Sequence, residues 1–427
     1  MQIIADLHIH SKYARATSKE MDLEHLSTYS KIKGINLLGT GDCTHPSWFS
    51  EIKKKLKERR DGIYDYNQTN FIITGEIRTI YKKNDKLRKV DHLILVPNIE
   101  VCEQMNDSLK NLGNLRLDGR ASFYKSAPEI VEKIIEISKD IMIIPAHIWT
   151  SWYGVLGEFS DFNKIDECYE DQTKHIHALE TGLSSDPMMN WRLSSLDKFT
   201  LVSNSDSHSP WPWRLGREVN VFEINDEKFS YKEIVDAIKK KDRRRFLFTI
   251  ECNPEYGKYH FDGHRKCNVS LSPKEAIKNN NICPVCGKKL TIGVLHRVEL
   301  LADREEGFVP KDAIPFKTLL PLYEIISHAL KVNQLYSKKV IEEQDKLIKH
   351  FKNEFNVLLN VDKEELMKVT DEVIVDAIMK VRNNEVKVIP GYDGVYGKPV
   401  FSESEFNKFE ENRRKVLRRQ SKLGDYS

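Results

Sequence analysis

Up to about residue 250 the chain alternates short apolar, β-branched runs with longer polar or helical segments. The runs cover residues 2–7, 35–38, 71–74, 93–96, 141–144, 176–179 and 200–202. Runs of this length and branching predict buried strands. Strands alternating with helices predict an α/β fold built on a parallel sheet with crossover helices. Seven such units suggest a closed or nearly closed barrel. Beyond Pro315 the apolar period lengthens, and helices are predicted over 317–334, 337–358, 362–382 and 406–423. A turn-rich stretch at 391–399 separates the last of these from the others.

The polar residues that close the runs give the pattern a chemical meaning. They are His8 and His10, Asp42, Glu76, His147, Glu180, and Asp206 with His208; His92 instead precedes its run. In β/α barrels the chemistry sits at the C-terminal strand ends. Asp6, His8 and His10 share one face of an extended segment. Imidazoles and carboxylates gathered there suit divalent metals such as zinc or manganese.

Composition narrows the class. A length of 427 residues allows two or three domains, and 40% apolar with 31% charged residues fits a globular protein. The net charge of +3 is too small to name a partner. Basic runs at 53–60, 239–245 and 413–422 make a polyanionic partner credible. Seven cysteines are an odd count, four of them scattered, so a disulfide framework is not expected and a reducing cytoplasm is. The N-terminal stretch lacks the pattern of a secretory signal, and no apolar stretch is long enough for a membrane span. His264-x2-Cys267, fifteen residues, then Cys283-Pro284-Val285-Cys286 has the spacing of a structural zinc ribbon. His260 competes with His264 for the fourth position.

Five of the six tryptophans (Trp149, Trp152, Trp191, Trp211 and Trp213) follow predicted strands on the chemical side, joined by Tyr153. Trp149, Trp152 and Tyr153 are candidate substrate-stacking residues, suited to a base rotated out of a duplex. Arg192, Arg214 and Arg217 are candidate phosphate clamps.

Several segments resemble the successive motifs of the PHP (polymerase and histidinol phosphatase) superfamily. They are Asp6-Leu7-His8-Ile9-His10-Ser11, Gly41-Asp42, Gly75-Glu76-Ile77, Pro145-Ala146-His147 and Asn204-Ser205-Asp206-Ser207-His208. The resemblance implies a distorted seven-stranded β/α barrel with a two- or three-metal phosphoesterase site. By it, His8, His10, Glu76 and Asp206 hold one metal. Glu76 shares a second with His92 and His147, and Asp42 and His208 serve a third. The metals it implies are Zn, Mn or Mg. Two metals side by side suit hydrolysis of a phosphodiester. The segments 145–157 and 180–187, the latter including Ser184 as a substrate contact, and 211–218 closely resemble the endonuclease Q family of DNA-repair enzymes.

That resemblance implies cleavage on the 5′ side of deaminated bases (uracil, hypoxanthine, xanthine) and abasic sites. Asp206, His8, Glu76 and Arg192 form the expected catalytic set. The same resemblance favours His264 over His260 as zinc ligand, beside Cys267, Cys283 and Cys286. The expected division is a catalytic barrel at 1–250, a zinc module at 251–300 and a helical, basic region at 301–427. The terminal peptide 420–426, with Gln420, Leu423 and Tyr426, resembles the segment by which repair proteins dock on a sliding clamp. The alternative is a phosphoesterase acting on a small nucleotide or phosphorylated metabolite.

Overall fold

The computed structural model describes residues 1–421. Its centre is a mixed sheet, and the order of its strands explains where the polar residues meet. The strands are β1 (Gln2–Asp6), β2 (Leu37–Gly39), β3 (Lys57–Arg60), β4 (Ile63–Tyr66), β5 (Thr69–Lys83), β6 (Lys86–Val96), β7 (Ala121–Phe123) and β8 (Met142–Pro145). They continue with β9 (Ala178–Glu180), β10 (Thr200–Val202), β11 (Val219–Glu223) and β12 (Phe246–Glu251). Each of the seven apolar runs falls on one of these strands.

β1, β2 and β5 pair in parallel. β6 pairs antiparallel with both β5 and β8. β9 and β10 form a parallel pair. A single parallel bridge joins Ile143 to Ile176, and another joins Ile9 to Ser207. The strands β1, β2, β5, β6, β8, β9 and β10 therefore follow one another in a circuit. The interior of the circuit is apolar, with Leu7, Leu37, Ile72, Leu93, Ile144 and Val202 buried together.

The antiparallel β6 departs from the all-parallel expectation, and the reason is local. Asn84 and Asp85 both take left-handed backbone, with φ of 52° and 58°. Two such residues in succession make the tight turn that favours a hairpin over a crossover. Because β6 runs backwards, its early residues face the end of the circuit where the other strands finish.

Helices pack outside. Leu23–Lys33 starts at Asp22, whose side chain accepts from the backbone N–H of His25, and stops at Gly34 with φ 96°. Ala127–Ile137 opens with a Ser126/Glu129 capping box.

The C-terminal region is mostly helical, in shorter pieces than the period predicts: Leu322–Ala329, Lys338–Phe351, Glu354–Leu359, Lys363–Met367 and Glu372–Arg382; the start of the helix expected over 317–334 is instead a strand, Phe316–Thr318, paired with β12. The expected helix over 337–358 breaks where Lys352 turns left-handed (φ 76°) and Asn353 caps the next helix. The buried pair Lys33–Glu354, at 2.7 Å, ties this region to the first helix. The last helix, Glu403–Ser421, reaches the cysteine-rich module through Arg413 and Glu275. Peptide 420–426 lies outside the described residues from 422 onward. Among the described residues no helix is long and apolar enough to cross a membrane.

Candidate metal centre

The circuit delivers His8 and His10 just past β1, Asp42 past β2, His147 past β8, and Asp206 and His208 past β10. Glu76 comes from within β5. Asp42, His147 and Asp206 all sit in left-handed backbone (φ 46°, 29° and 48°). Such conformations cost of order 1–3 kcal/mol each and persist where the surroundings over-determine them. Here they turn three polar side chains out of strand geometry, His147 and Asp206 toward Glu76 and His10, and Asp42 toward the far nitrogen of His10.

His10 Nε2 lies 3.3 Å from Glu76 Oε2 and 3.0 Å from Asp206 Oδ1. His8 Nε2 lies 3.7 Å from Glu76 and 3.8 Å from Asp206. His147 Nε2 is 3.2 Å from Glu76 Oε1 and 3.8 Å from Asp91 Oδ2. Potential ligand atoms gather in three groups: His8, His10 and Glu76; His10, Asp206 and His208; and Glu76, Asp91 and His147.

Nε2 of His8, Nε2 of His10, Nδ1 of His147 and Oδ1 of Asp206 are buried without a hydrogen-bond partner. Buried polar atoms are nearly always satisfied. Three of these, His8 Nε2, His10 Nε2 and Asp206 Oδ1, lie within 4 Å of one another or of Glu76 and fit a divalent cation, whereas His147 turns its other nitrogen, Nε2, to Glu76. The opposite ring nitrogens are held by carboxylates: His8 Nδ1 by Glu180 at 3.0 Å and His10 Nδ1 by Asp42 at 2.9 Å. Such a bond fixes the tautomer and leaves Nε2 as the ligand.

The electrostatics agree. Burial opposes charge on every group. Glu180 nevertheless holds His8 well above the usual imidazole range, and Asp42 does so for His10. Burial would raise Glu76, yet Arg120 and the three histidines hold it well below the carboxylate range. Asp206 is lowered likewise, against burial, by His10 and His8.

Two expected ligands are placed differently. His92 does not face the centre. In the β5–β6 register Glu76 is opposite Leu93, Ile77 opposite His92, and Arg78 opposite Asp91. Side chains alternate, so Asp91 shares the face of Glu76 and His92 has the other. There His92 meets the Tyr169 hydroxyl at 2.7 Å and Thr79 Oγ1 at 3.0 Å. Burial pushes its pKa down to about 3. Asp42 is also not within ligand reach. Its oxygens are taken by His10 Nδ1 and by the backbone N–H and hydroxyl of Ser11, at 2.6 Å each.

The candidate clamps and stacking residues also divide. Arg192 is bound to Glu299 at 2.7 Å, and Arg217 to Glu324 at 3.2 Å, so neither joins the metal cluster. Arg214 is exposed. Trp149 is core, its indole N–H donating to Asn190. Tyr153 lies under the Arg78 guanidinium, 3.6 Å from its ring centre. Trp152 is exposed and stacks on Phe159 at 3.7 Å. With Ser184, Leu183, Tyr259 and Tyr396 it lines a cavity of about 410 Å³.

Asp91, Arg78 and Arg120 were missed by the sequence reading. The Asn84-Asp85 turn signal would have disclosed the hairpin and with it Asp91 and Arg78; nothing in the sequence around Arg120 marks it. At the ribbon, His264, Cys267, Cys283 and Cys286 come together, with Cys286 Sγ 3.5 Å from His264 Nδ1. His260 is buried outside this group.

A sequence family described as the MJ0043 C-terminal domain matches residues 321–385. Uncharacterized protein MJ0043 of Methanocaldococcus jannaschii is 34% identical over 256 residues, 59% of this chain but 31% of that protein. The chain thus spans about a third of that relative's length. The crystal structure of the lesion-specific endonuclease PfuEndoQ from Pyrococcus furiosus matches with a TM-score of 0.85 at 33% identity, over 94% of this chain and 96% of that one. Endonuclease Q in complex with a 27-mer duplex carrying an abasic lesion at the active site matches at 0.83, again 33% identical, over 95% and 98%. Shared identity at this level, sustained from end to end on one architecture, places this chain in the endonuclease Q family.

Proposed function

We infer that the protein is a metal-dependent DNA endonuclease that cuts the phosphodiester 5′ to deaminated bases and abasic sites. The observation that carries this is the convergence of His8, His10, Glu76, His147 and Asp206, with His8 Nε2, His10 Nε2 and Asp206 Oδ1 left unpartnered. The strand circuit supports reading the sheet as a distorted PHP barrel. His8, His10, Glu76 and Asp206 would hold one divalent cation, and Glu76, Asp91 and His147 a second. His208 stands beside Asp206 for a third. Bound there, such cations supply Lewis-acid stabilisation and a water acidified toward neutral pH.

The chain's own groups do the positioning. Glu180 and Asp42 aim the two imidazoles. Arg78 grips Asp91 through both oxygens, at 2.6 and 2.8 Å. The cavity beside Trp152 and Ser184 has the volume of a ligand pocket. Thr150 links it to the centre, bonding Ser184 with its hydroxyl and His147 O with its N–H. It suits an extruded base or the gap left by a missing one. The ribbon ligands would hold structural zinc, stabilising a module whose own apolar core is only a few residues. The proposed division is into a catalytic barrel at 1–250, a zinc-binding ribbon at 251–300 and a basic C-terminal region at 301–427.

The test is a 5′-labelled duplex with one deoxyinosine, incubated with Mg²⁺, Mn²⁺ or Zn²⁺. Cleavage on the 5′ side of the lesion is expected. Turnover of small phosphate esters without cleavage of this duplex would overturn the reading.

A further inference from the structure

We propose that Arg120 is a catalytic residue of this centre, binding a non-bridging oxygen of the scissile phosphate with donors it does not spend on protein. This rests on the phosphodiesterase reading above.

Arg120 immediately precedes β7, which pairs in parallel with β5 so that Ala121 lies opposite Ile77. Its Nη1 is 3.1 Å from Glu76 Oε2 and 3.8 Å from Asp91 Oδ2. The same Glu76 oxygen faces Nε2 of both His8 and His10. The guanidinium therefore borders the cluster that holds the reacting group. Gly119 sets the position. A Cβ there would fall 2.3 Å from Asp42 Oδ2, so a larger residue would push the segment off the centre.

Two arginines stand here, and they are used differently. Arg78 is committed: both oxygens of Asp91 take its N–H groups, and its face lies on Tyr153. The Arg120 guanidinium makes one hydrogen bond, to Glu76, among the described residues. Its Nε is buried and unpartnered. A guanidinium has five N–H donors, so most of its capacity is free. Its side chain is one-fifth exposed, so part of it is open to solvent. Asp91 does not need it for neutralisation, since Arg78 already serves that carboxylate. A planar cation with free donors beside ligand-bearing carboxylates matches a phosphoryl group whose charge grows during cleavage. Arg120 transfers no proton in this role; it accepts charge by hydrogen bonding alone.

The experiment compares the full chain with Arg120→Gln, Arg120→Lys and Arg120→Ala. Single-turnover cleavage of an abasic duplex and hydrolysis of bis(p-nitrophenyl) phosphate are measured. Mn²⁺ affinity, and the affinity of Mn²⁺-loaded protein for inorganic phosphate, are measured by calorimetry. Expected for Arg120→Gln are cleavage slower by about 10²–10³-fold, weaker phosphate binding by about tenfold, and Mn²⁺ affinity at least equal to the parent's. Arg120→Lys should recover part of the rate, and added guanidinium should raise the rate of Arg120→Ala. The proposal is overturned if Arg120→Gln keeps both cleavage and phosphate affinity within about threefold of the parent. It is equally overturned if Mn²⁺ is lost along with cleavage, because Arg120 would then only build the site. A parent that hydrolyses bis(p-nitrophenyl) phosphate but spares lesion DNA defeats the DNA reading, while the phosphate arm still judges Arg120.

Discussion

Replacing Glu180 by Gln isolates the role of the carboxylate behind His8. Glu180 is fully buried and both its oxygens lie 3.0 Å from His8 Nδ1. The same carboxylate accepts the backbone N–H of His147 at 2.9 Å and the Asn204 amide at 2.8 Å. It therefore aims two candidate ligands at once. Gln has nearly the same volume, so packing is kept. Three donors point at this side chain, however, and an amide has only one oxygen. Its NH₂ must face a donor, and the His8 ring either turns or loses the tautomer that exposes Nε2. Loss of such an orienting partner weakens metal binding by about 10–100-fold, or about 1.4–2.7 kcal/mol. Mn²⁺ titration of Glu180→Gln should show this, with one zinc per chain retained at the ribbon as the internal control. Mn²⁺ affinity within about threefold of the parent would refute the argument.

Other outcomes follow from the same geometry. Asp91→Asn should weaken metal binding, whereas His92→Asn should keep metal content and lower stability by about 1–3 kcal/mol through the orphaned Tyr169 hydroxyl; elemental analysis beside denaturant unfolding separates the two. His8, His10 and His147 are raised above the ordinary imidazole range by surrounding carboxylates that outweigh burial. In metal-free protein their contribution to stability is therefore full below about pH 6.5 and lost as pH rises through the raised folded values. Metal must displace those protons, so its affinity should rise with pH, and calorimetry in buffers of different ionisation enthalpy should detect proton release at pH 7. Lys33→Met strands a buried Glu354 and should cost about 3–5 kcal/mol. Adding Glu354→Gln, which keeps an acceptor for the Leu322 N–H, should restore part of that loss in thermal unfolding.

Much of the centre was legible because its parts close strands. His8, His10, His147 and Asp206 each follow a short apolar run, and a run followed by a polar residue is visible in one dimension. His92 was misplaced because its neighbours Leu93 to Val96 looked like a whole strand. The strand instead begins at Lys86 and runs antiparallel, and only the register with β5 tells which face each residue takes. Asp42 has the right residue type at the right strand end, yet its role depends on Ser11 and His10 reaching its oxygens first. Arg120 comes from an aperiodic segment whose place is set by contact with Asp42 and Glu76, and no local pattern encodes that. The C-terminal helices were visible from their period, while their breaks at Lys352 and between Met367 and Glu372 depend on backbone turns that periodicity passes over.

The central claim is that side chains remote in sequence converge to hold cations. Crystals soaked in Mn²⁺ and measured for anomalous scattering test it most directly. A peak within bonding distance of His8 Nε2, His10 Nε2 and Asp206 Oδ1 is the expected result. A map with the ribbon metal present and no peak at that cluster would contradict it.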